Sequence, residues 1–198
     1  HPFHALGNVK ATKPIIASGA DSTVYVWNLE TRQLVSTLEG HSGRIWNVDF
    51  SADGRYLASA SFDYSARLWD WESETCLQTF QGHSTWVVGM AFSSNGQILA
   101  TSGMDKTIKL WDCRTGECLK SLATGDDWMT DITFSLDGRA ILGGGSQGGL
   151  ILLHVETGEQ LLASQAHTGF VSCVRFAPDG KTFASCSHDQ LIKMWNMR

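Results

Sequence analysis

Apolar and polar residues alternate along Ile45-Trp46-Asn47-Val48-Asp49-Phe50, the period-two pattern of a strand with one buried face. Turn residues then interrupt it at Ser51-Ala52-Asp53-Gly54, where Gly54 tolerates the positive φ that a tight hairpin needs. Tyr56-Leu57-Ala58-Ser59-Ala60 predicts a second strand of small residues suited to close packing. A turn at Phe62-Asp63 leads to a third, Ala66-Arg67-Leu68-Trp69. Polar Asp70-Trp71-Glu72-Ser73 leads to a fourth, Thr75-Cys76-Leu77-Gln78-Thr79-Phe80. No segment reads as a helix, so the unit predicted is an antiparallel sheet of four short strands and the class is all-β.

The same pattern returns every 42 residues. Trp27, Trp69, Trp111 and Trp195 keep this beat, with Leu153 in the one vacant slot. Aspartates keep it at Asp21, Asp63, Asp105 and Asp189, with Gln147 in the gap. Histidines keep it at His41, His83 and His167, with Gly125 in the gap. The hairpin turn recurs as Asn95-Gly96, Asp137-Gly138 and Asp179-Gly180. Upstream, Ile15-Ile16-Ala17, Val24-Tyr25-Val26-Trp27 and Leu34-Val35-Ser36 read as a second, third and fourth strand. A period of this length predicts units that bury their apolar faces against their neighbours, so function is to be sought on a repeated scaffold.

Gly40-His41 through Trp69-Asp70 and Gly82-His83 through Trp111-Asp112 resemble blades of the WD-repeat (WD40) β-propeller family. His167 through Trp195 follows the same pattern, with Ala166 for Gly and Asn196 for Asp. The repeat from 124 to 165 departs most, with Gly125, Gly143, Gln147, Leu153 and His154 where the pattern has His, Ser/Thr, Asp, Trp and Asp. It keeps Phe134, Asp137-Gly138 and Thr157-Gly158-Glu159 in register and reads as a degenerate blade. The resemblance covers essentially the whole chain. It implies one propeller region over 1–198: a partial blade at 1–39, repeats 40–81, 82–123 and 124–165, and a last repeat 166–198 ending after its third strand. About five blades are expected, an incomplete ring that is the C-terminal portion of a larger propeller. His1 is a candidate for the first blade's opening histidine, displaced by two residues, and an open ring is expected to self-associate.

Ser59, His41 and Asp63 carry the residue types of a hydrolase triad, and an enzyme using them is one reading of the chain. The set recurs as Thr101, His83, Asp105 and as Ser185, His167, Asp189, whereas a triad needs one nucleophile in one cleft with an oxyanion hole. In the family resembled, these residues join Trp69, Trp111 and Trp195 in buried hydrogen-bonded tetrads, indole to hydroxyl to imidazole to carboxylate. That implies a structural role and no catalysis. Gly143-x-Gly145-x-x-Gly148 matches a dinucleotide fingerprint in form only, because strand-like Leu150-Ile151-Leu152-Leu153 follows it where that motif requires a helix.

By the same resemblance, partners bind the face carrying the connections between blades, around the mouth of a central channel. Arg44, Trp46, Phe62, Trp86, Met104, Trp128, Phe170 and His188 are the positions expected there, a rim rich in large apolar groups. The expected function is a protein–protein interaction scaffold binding protein or peptide partners. A propeller recognising a small ligand or modified peptide at the channel mouth is the other alternative.

Composition narrows the partners. Fifteen Lys and Arg against twenty Asp and Glu give a net charge of −5, without the basic footprint expected for nucleic acid or an anionic membrane. Apolar runs stay short of the roughly 18 residues a membrane helix needs. The five cysteines, Cys76, Cys113, Cys118, Cys173 and Cys186, include no C-x-x-C pair. They predict reduced thiols in the cytoplasm and neither metal nor cofactor.

Overall fold

A computed structural model describes residues 14–197 of the chain. The strands are β1 (Ile15–Ala20), β2 (Thr23–Asn28) and β3 (Leu34–Leu38), then β4 (Ile45–Phe50), β5 (Tyr56–Ser61), β6 (Ser65–Asp70) and β7 (Thr75–Gln81). Next come β8 (Val87–Phe92), β9 (Ile98–Gly103), β10 (Thr107–Asp112) and β11 (Cys118–Ala123), followed by β12 (Met129–Phe134), β13 (Ala140–Gly145), β14 (Gly149–His154) and β15 (Gln160–Gln165). Finally come β16 (Val171–Phe176), β17 (Thr182–Ser187) and β18 (Ile192–Asn196). They form five antiparallel meanders whose strand order follows the chain: β1–β3, β4–β7, β8–β11, β12–β15 and β16–β18. The all-β reading from the period-two pattern holds, with no helix among the described residues. His1 lies outside them.

Each sheet packs on the next through its first strand: β4 on β1 and β2, β8 on β4 and β5, β12 on β8 and β9, β16 on β12 and β13. The first strands thus line one side of the assembly, as in a propeller, and the ring is not closed among the described residues. Second strands lie between neighbouring sheets. From Leu57 to Ser61 every residue of β5 is buried, and Ala58 and Ala60 let the sheets approach closely. The apolar clusters straddle the junctions. Ile15, Val24 and Val26 meet Ile45, Val48 and Trp69 in one, and Leu142 and Leu150 meet Val171 and Val174 in another. No sheet therefore has a core of its own, the expected economy of a repeat protein. Outer strands such as β7 alternate exposed residues with half-buried or, at Phe80, buried ones.

Hairpin turns hold the first two strands of a sheet in register. Ser51 Oγ donates to Asp53 Oδ1 at 2.6 Å and accepts from the Tyr56 N–H, while the Gly54 N–H donates to Ser51 O. Gly54 has φ 71°, the left-handed conformation that glycine adopts at least cost. Ser93-Asn95-Gly96 and Ser135-Asp137-Gly138 repeat the arrangement.

A β-bulge interrupts the first pairing of each complete sheet at one slot. It falls between Ile45 and Asn47, Val87 and Gly89, and Met129 and Asp131, and recurs between Val171 and Cys173 in the last sheet. The extra residues are Trp46, Val88, Thr130 and Ser172. A bulge bends the strand and re-aims its side chain, and at Trp46 it brings a large ring beside the inter-sheet connection.

Candidate functional site

Three hydrogen-bonded networks occupy equivalent places in the second, third and fifth sheets. Trp69 Nε1–H donates to Ser59 Oγ at 2.8 Å, Ser59 Oγ lies 2.7 Å from His41 Nε2, and His41 Nδ1 lies 2.7 Å from Asp63 Oδ2. Trp111, Thr101, His83 and Asp105 repeat it at 2.8, 2.8 and 2.9 Å. Trp195, Ser185, His167 and Asp189 do so at 2.9, 2.7 and 2.9 Å. An indole only donates, so the hydroxyl's own proton goes to Nε2 and Nδ1–H goes to the carboxylate, which assigns the neutral Nδ1–H tautomer. Burial lowers the pKa of His41 and His83 against the opposing pull of Asp63 and Asp105, which favours the same neutral form. Burial pushes Asp63 up, but hydrogen bonds from Ser65, His41 and the Ser42 N–H outweigh it and leave the carboxyl below its ordinary value. Through Ser42 N–H and Ser65, Asp63 ties the inter-sheet connection to the turn between second and third strands.

The fourth sheet solves the same problem with different residues. Gly143 and Leu153 stand in the hydroxyl and indole slots, and a Cβ on Gly143 would approach Met129 Cγ at 2.8 Å. Met129 and Leu153 are both buried, so apolar packing replaces the whole network and leaves no orphaned partner. The carboxylate has moved to the other side of the gap. Asp127, in the connection, accepts from Ser146 Oγ at 2.6 Å and from the Gln147 N–H at 3.0 Å. Ser146 therefore belongs to the tie, although this repeat has no tetrad. All three glycines of the dinucleotide-like run have steric reasons: a Cβ on Gly145 would overlap Asp127 Oδ2, and one on Gly148 would overlap His167 O.

At the same end of the sheets lie the rim candidates. Backbone bonds join each connection to the adjacent turn: Phe62 N–H to Arg44 O, Met104 N–H to Trp86 O, Ser146 N–H to Trp128 O and His188 N–H to Phe170 O. Trp46 stacks on Phe62 with centroids 5.3 Å apart, and Phe62 stacks on Trp86 of the following sheet at 4.1 Å and 6°. Trp128 meets Phe170 edge-on at 5.9 Å, and Phe170 stacks on His188 at 4.9 Å. The eight candidates thus include two aromatic groups, each crossing a sheet junction. Trp86 is 42% exposed; Arg44 and His188 are exposed, and Trp46, Phe62, Met104, Trp128 and Phe170 are half-buried. Half-burial is the cost of the stacking, which sequence spacing does not report.

Charged residues on the first strands were not among the sequence candidates. Asp131 is buried and accepts from the Val174 N–H at 2.8 Å and from Arg175 Nη1 at 2.6 Å, joining β12 to β16. Arg175 and Asp131 both act electrostatically on Asp49 of β4. Burial pushes the Asp49 carboxyl up to about 6, with Arg175 opposing. A carboxyl raised in the fold binds its proton more tightly there than in the unfolded chain. Its destabilising effect is complete above about pH 6 and disappears as pH falls toward 3.8. Asp49→Asn is therefore expected to stabilise the chain by about 1–3 kcal/mol at pH 8. Melting curves at pH 8 and pH 4 check this, and an equal gain at both would refute it.

Among the described residues no group of three or more His, Cys, Asp or Glu is placed to hold a metal ion, and no helix is long and apolar enough to cross a membrane.

The sequence model of the WD domain, G-beta repeat, matches residues 32–70, 74–112 and 158–196, more than half of the chain. Eukaryotic translation initiation factor 3 subunit I of Brugia malayi is 39% identical over 49 residues, 25% of this chain and 15% of that protein. Ribosome assembly protein 4 of Saccharomyces cerevisiae is 34% identical over 61 residues, 30% of this chain and 12% of that protein. WD repeat-containing protein 36 of Homo sapiens is 45% identical over 47 residues, 24% of this chain and 5% of that protein. Each match spans only a small part of the relative's own length.

Proposed function

We propose, because this chain belongs to the WD40 repeat family, that it is a non-catalytic scaffold whose protein partners seat on the face of the inter-sheet connections. The observation that carries the reading is the stack Trp46–Phe62–Trp86, which crosses a sheet junction and leaves Trp86 42% exposed. Exposed, rigid aromatic side chains set in a packed surround are the usual energetic centres of protein interfaces. Two relatives are named as an initiation-factor subunit and a ribosome assembly protein, and membership of a multi-protein complex is the setting that agrees with this reading. A cytoplasmic location belongs to the same proposal.

Two alternatives are disfavoured physically. Ser59, Thr101 and Ser185 are 0%, 0% and 1% exposed and already accept an indole N–H, so no hydroxyl is presented to a substrate. This supports a structural role for the networks. Phe62 and Trp86 lie in van der Waals contact, which leaves no slot between them for a small ligand.

Replacing Trp86 by Ala is expected to weaken a partner identified by cross-linking and mass spectrometry by about 2 kcal/mol, roughly 30-fold in Kd, with little change in melting. Full binding by both Trp86→Ala and Trp128→Ala would move the site off this face.

A further inference from the structure

We propose that Cys173 and Cys186 form a redox-modification site, a dithiol that a peroxide converts to a disulfide across the first two strands of the last sheet. The two residues are direct partners in the antiparallel register of β16 and β17. Such partners project to the same face with Cα atoms about 4.5–5.5 Å apart, inside the roughly 4.4–6.8 Å that a disulfide spans. Equivalent registers in the other sheets pair Asn47 with Ala60, Gly89 with Ser102 and Asp131 with Gly144. They show how close this position is, because a Cβ built on Gly89 would overlap Ser102 Oγ. The side chains of this pair thus meet, and among these registers only the last offers two thiols. Both cysteines are free and half-buried, and Ser172 Oγ lies 3.4 Å from Cys186 Sγ.

The surroundings order the chemistry. Burial pushes the Cys173 thiol up to about 12, which disfavours its thiolate, so Cys186 is assigned as the sulfur that meets the oxidant. Cys186 Sγ attacks one oxygen of hydrogen peroxide and the O–O bond breaks. The departing hydroxide takes the Cys186 thiol proton as water, leaving a sulfenic acid. Cys173 Sγ then attacks Cys186 Sγ, the S–O bond breaks, and the second hydroxide leaves as water with the Cys173 proton. Two thiols lose two electrons in total, and one peroxide is reduced to two waters. The bond forms next to Val174 and Arg175, which Asp131 anchors to β12. Oxidation therefore acts on the junction of the fourth and fifth sheets.

The test is a non-reducing tryptic map of the 198-residue chain after peroxide treatment and blocking of residual thiols. Cleavage after Arg175 and Lys181 separates the two cysteines, so the bond appears as peptide 140–175 linked to peptide 182–193. That linked pair is expected in the native chain and after Cys76→Ser, and its loss is expected in Cys186→Ser, whose new side chain matches Ser102 of the third sheet. Recovery of Cys173 and Cys186 from the native chain as separate blocked thiols or sulfinic acids would overturn the proposal. So would linkage of either to Cys76, Cys113 or Cys118 in preference to each other.

Discussion

Trp69→Ala is expected to cost about 3–5 kcal/mol, the range for truncating a large aromatic in a packed core. Trp69 is 1% exposed and stands in the cluster that joins the first sheet to the second. Its loss opens a cavity at that junction and strips Ser59 Oγ of its indole donor, so a packing defect and a polar defect coincide. A domain has only about 5–15 kcal/mol in total, so this single change brings the chain close to unfolding. Trp27→Ala is the internal comparison. Trp27 is 39% exposed and faces a repeat with Ala17 in the hydroxyl slot, so about 1 kcal/mol is expected there. Urea unfolding followed by far-UV circular dichroism separates the two, and equal losses would mean that the network and its packing do not distinguish them.

Gly148→Ala is expected to be nearly as severe, at about 3 kcal/mol or more, for a backbone reason. Gly148 has φ 92°, and a Cβ there would overlap His167 O and lie 2.7 Å from His167 C. Backbone does not move aside as a flexible side chain does. The Gly148 carbonyl also accepts from the Ala166 and His167 N–H groups, so any shift disturbs the start of the last sheet's network. Gly96→Ala is the control: φ is 69° but nothing lies within 4 Å of the added carbon, leaving only the conformational cost of about 1 kcal/mol. Thermal melts of both variants check the ranking, and a Gly96→Ala as damaging as Gly148→Ala would contradict the steric account.

The two results concern different layers of the same sheet design. Trp69 acts through a network that recurs with the period, whereas Gly148 acts in the repeat that abandoned it. Gly143, Leu153 and Met129 replace hydroxyl and indole together, and Asp127 supplies from the connection the carboxylate that Gln147 no longer provides. Removing all the partners of a buried network is tolerable where removing one is not, which is why this repeat departs at several slots at once.

Strand positions, the all-β class and the repeat were legible in the amino-acid order because they rest on local signals: alternation over six residues, a glycine with positive φ in the first hairpin of the second to fifth sheets, and residue types returning every 42 positions. His41, Ser59, Asp63 and Trp69 and their equivalents recur with the same period, and that they join in one network was implied by the resemblance to WD-repeat blades. What local order does not encode is which side chains meet across a sheet junction. The stack of Phe62 on Trp86, the transfer of the carboxylate to Asp127, the coupling of Asp49 to Arg175 and the pairing of Cys173 with Cys186 all depend on how strands and sheets approach one another. The bulge at Trp46 is a further case: the Ile45-Trp46 doublet interrupts the alternation, but only the ladder shows that the extra residue is a bulge. Periodicity determined the scaffold, because each unit must bury its faces on the next. The candidate binding face was decided by three-dimensional packing, because its rings touch only after the sheets have docked.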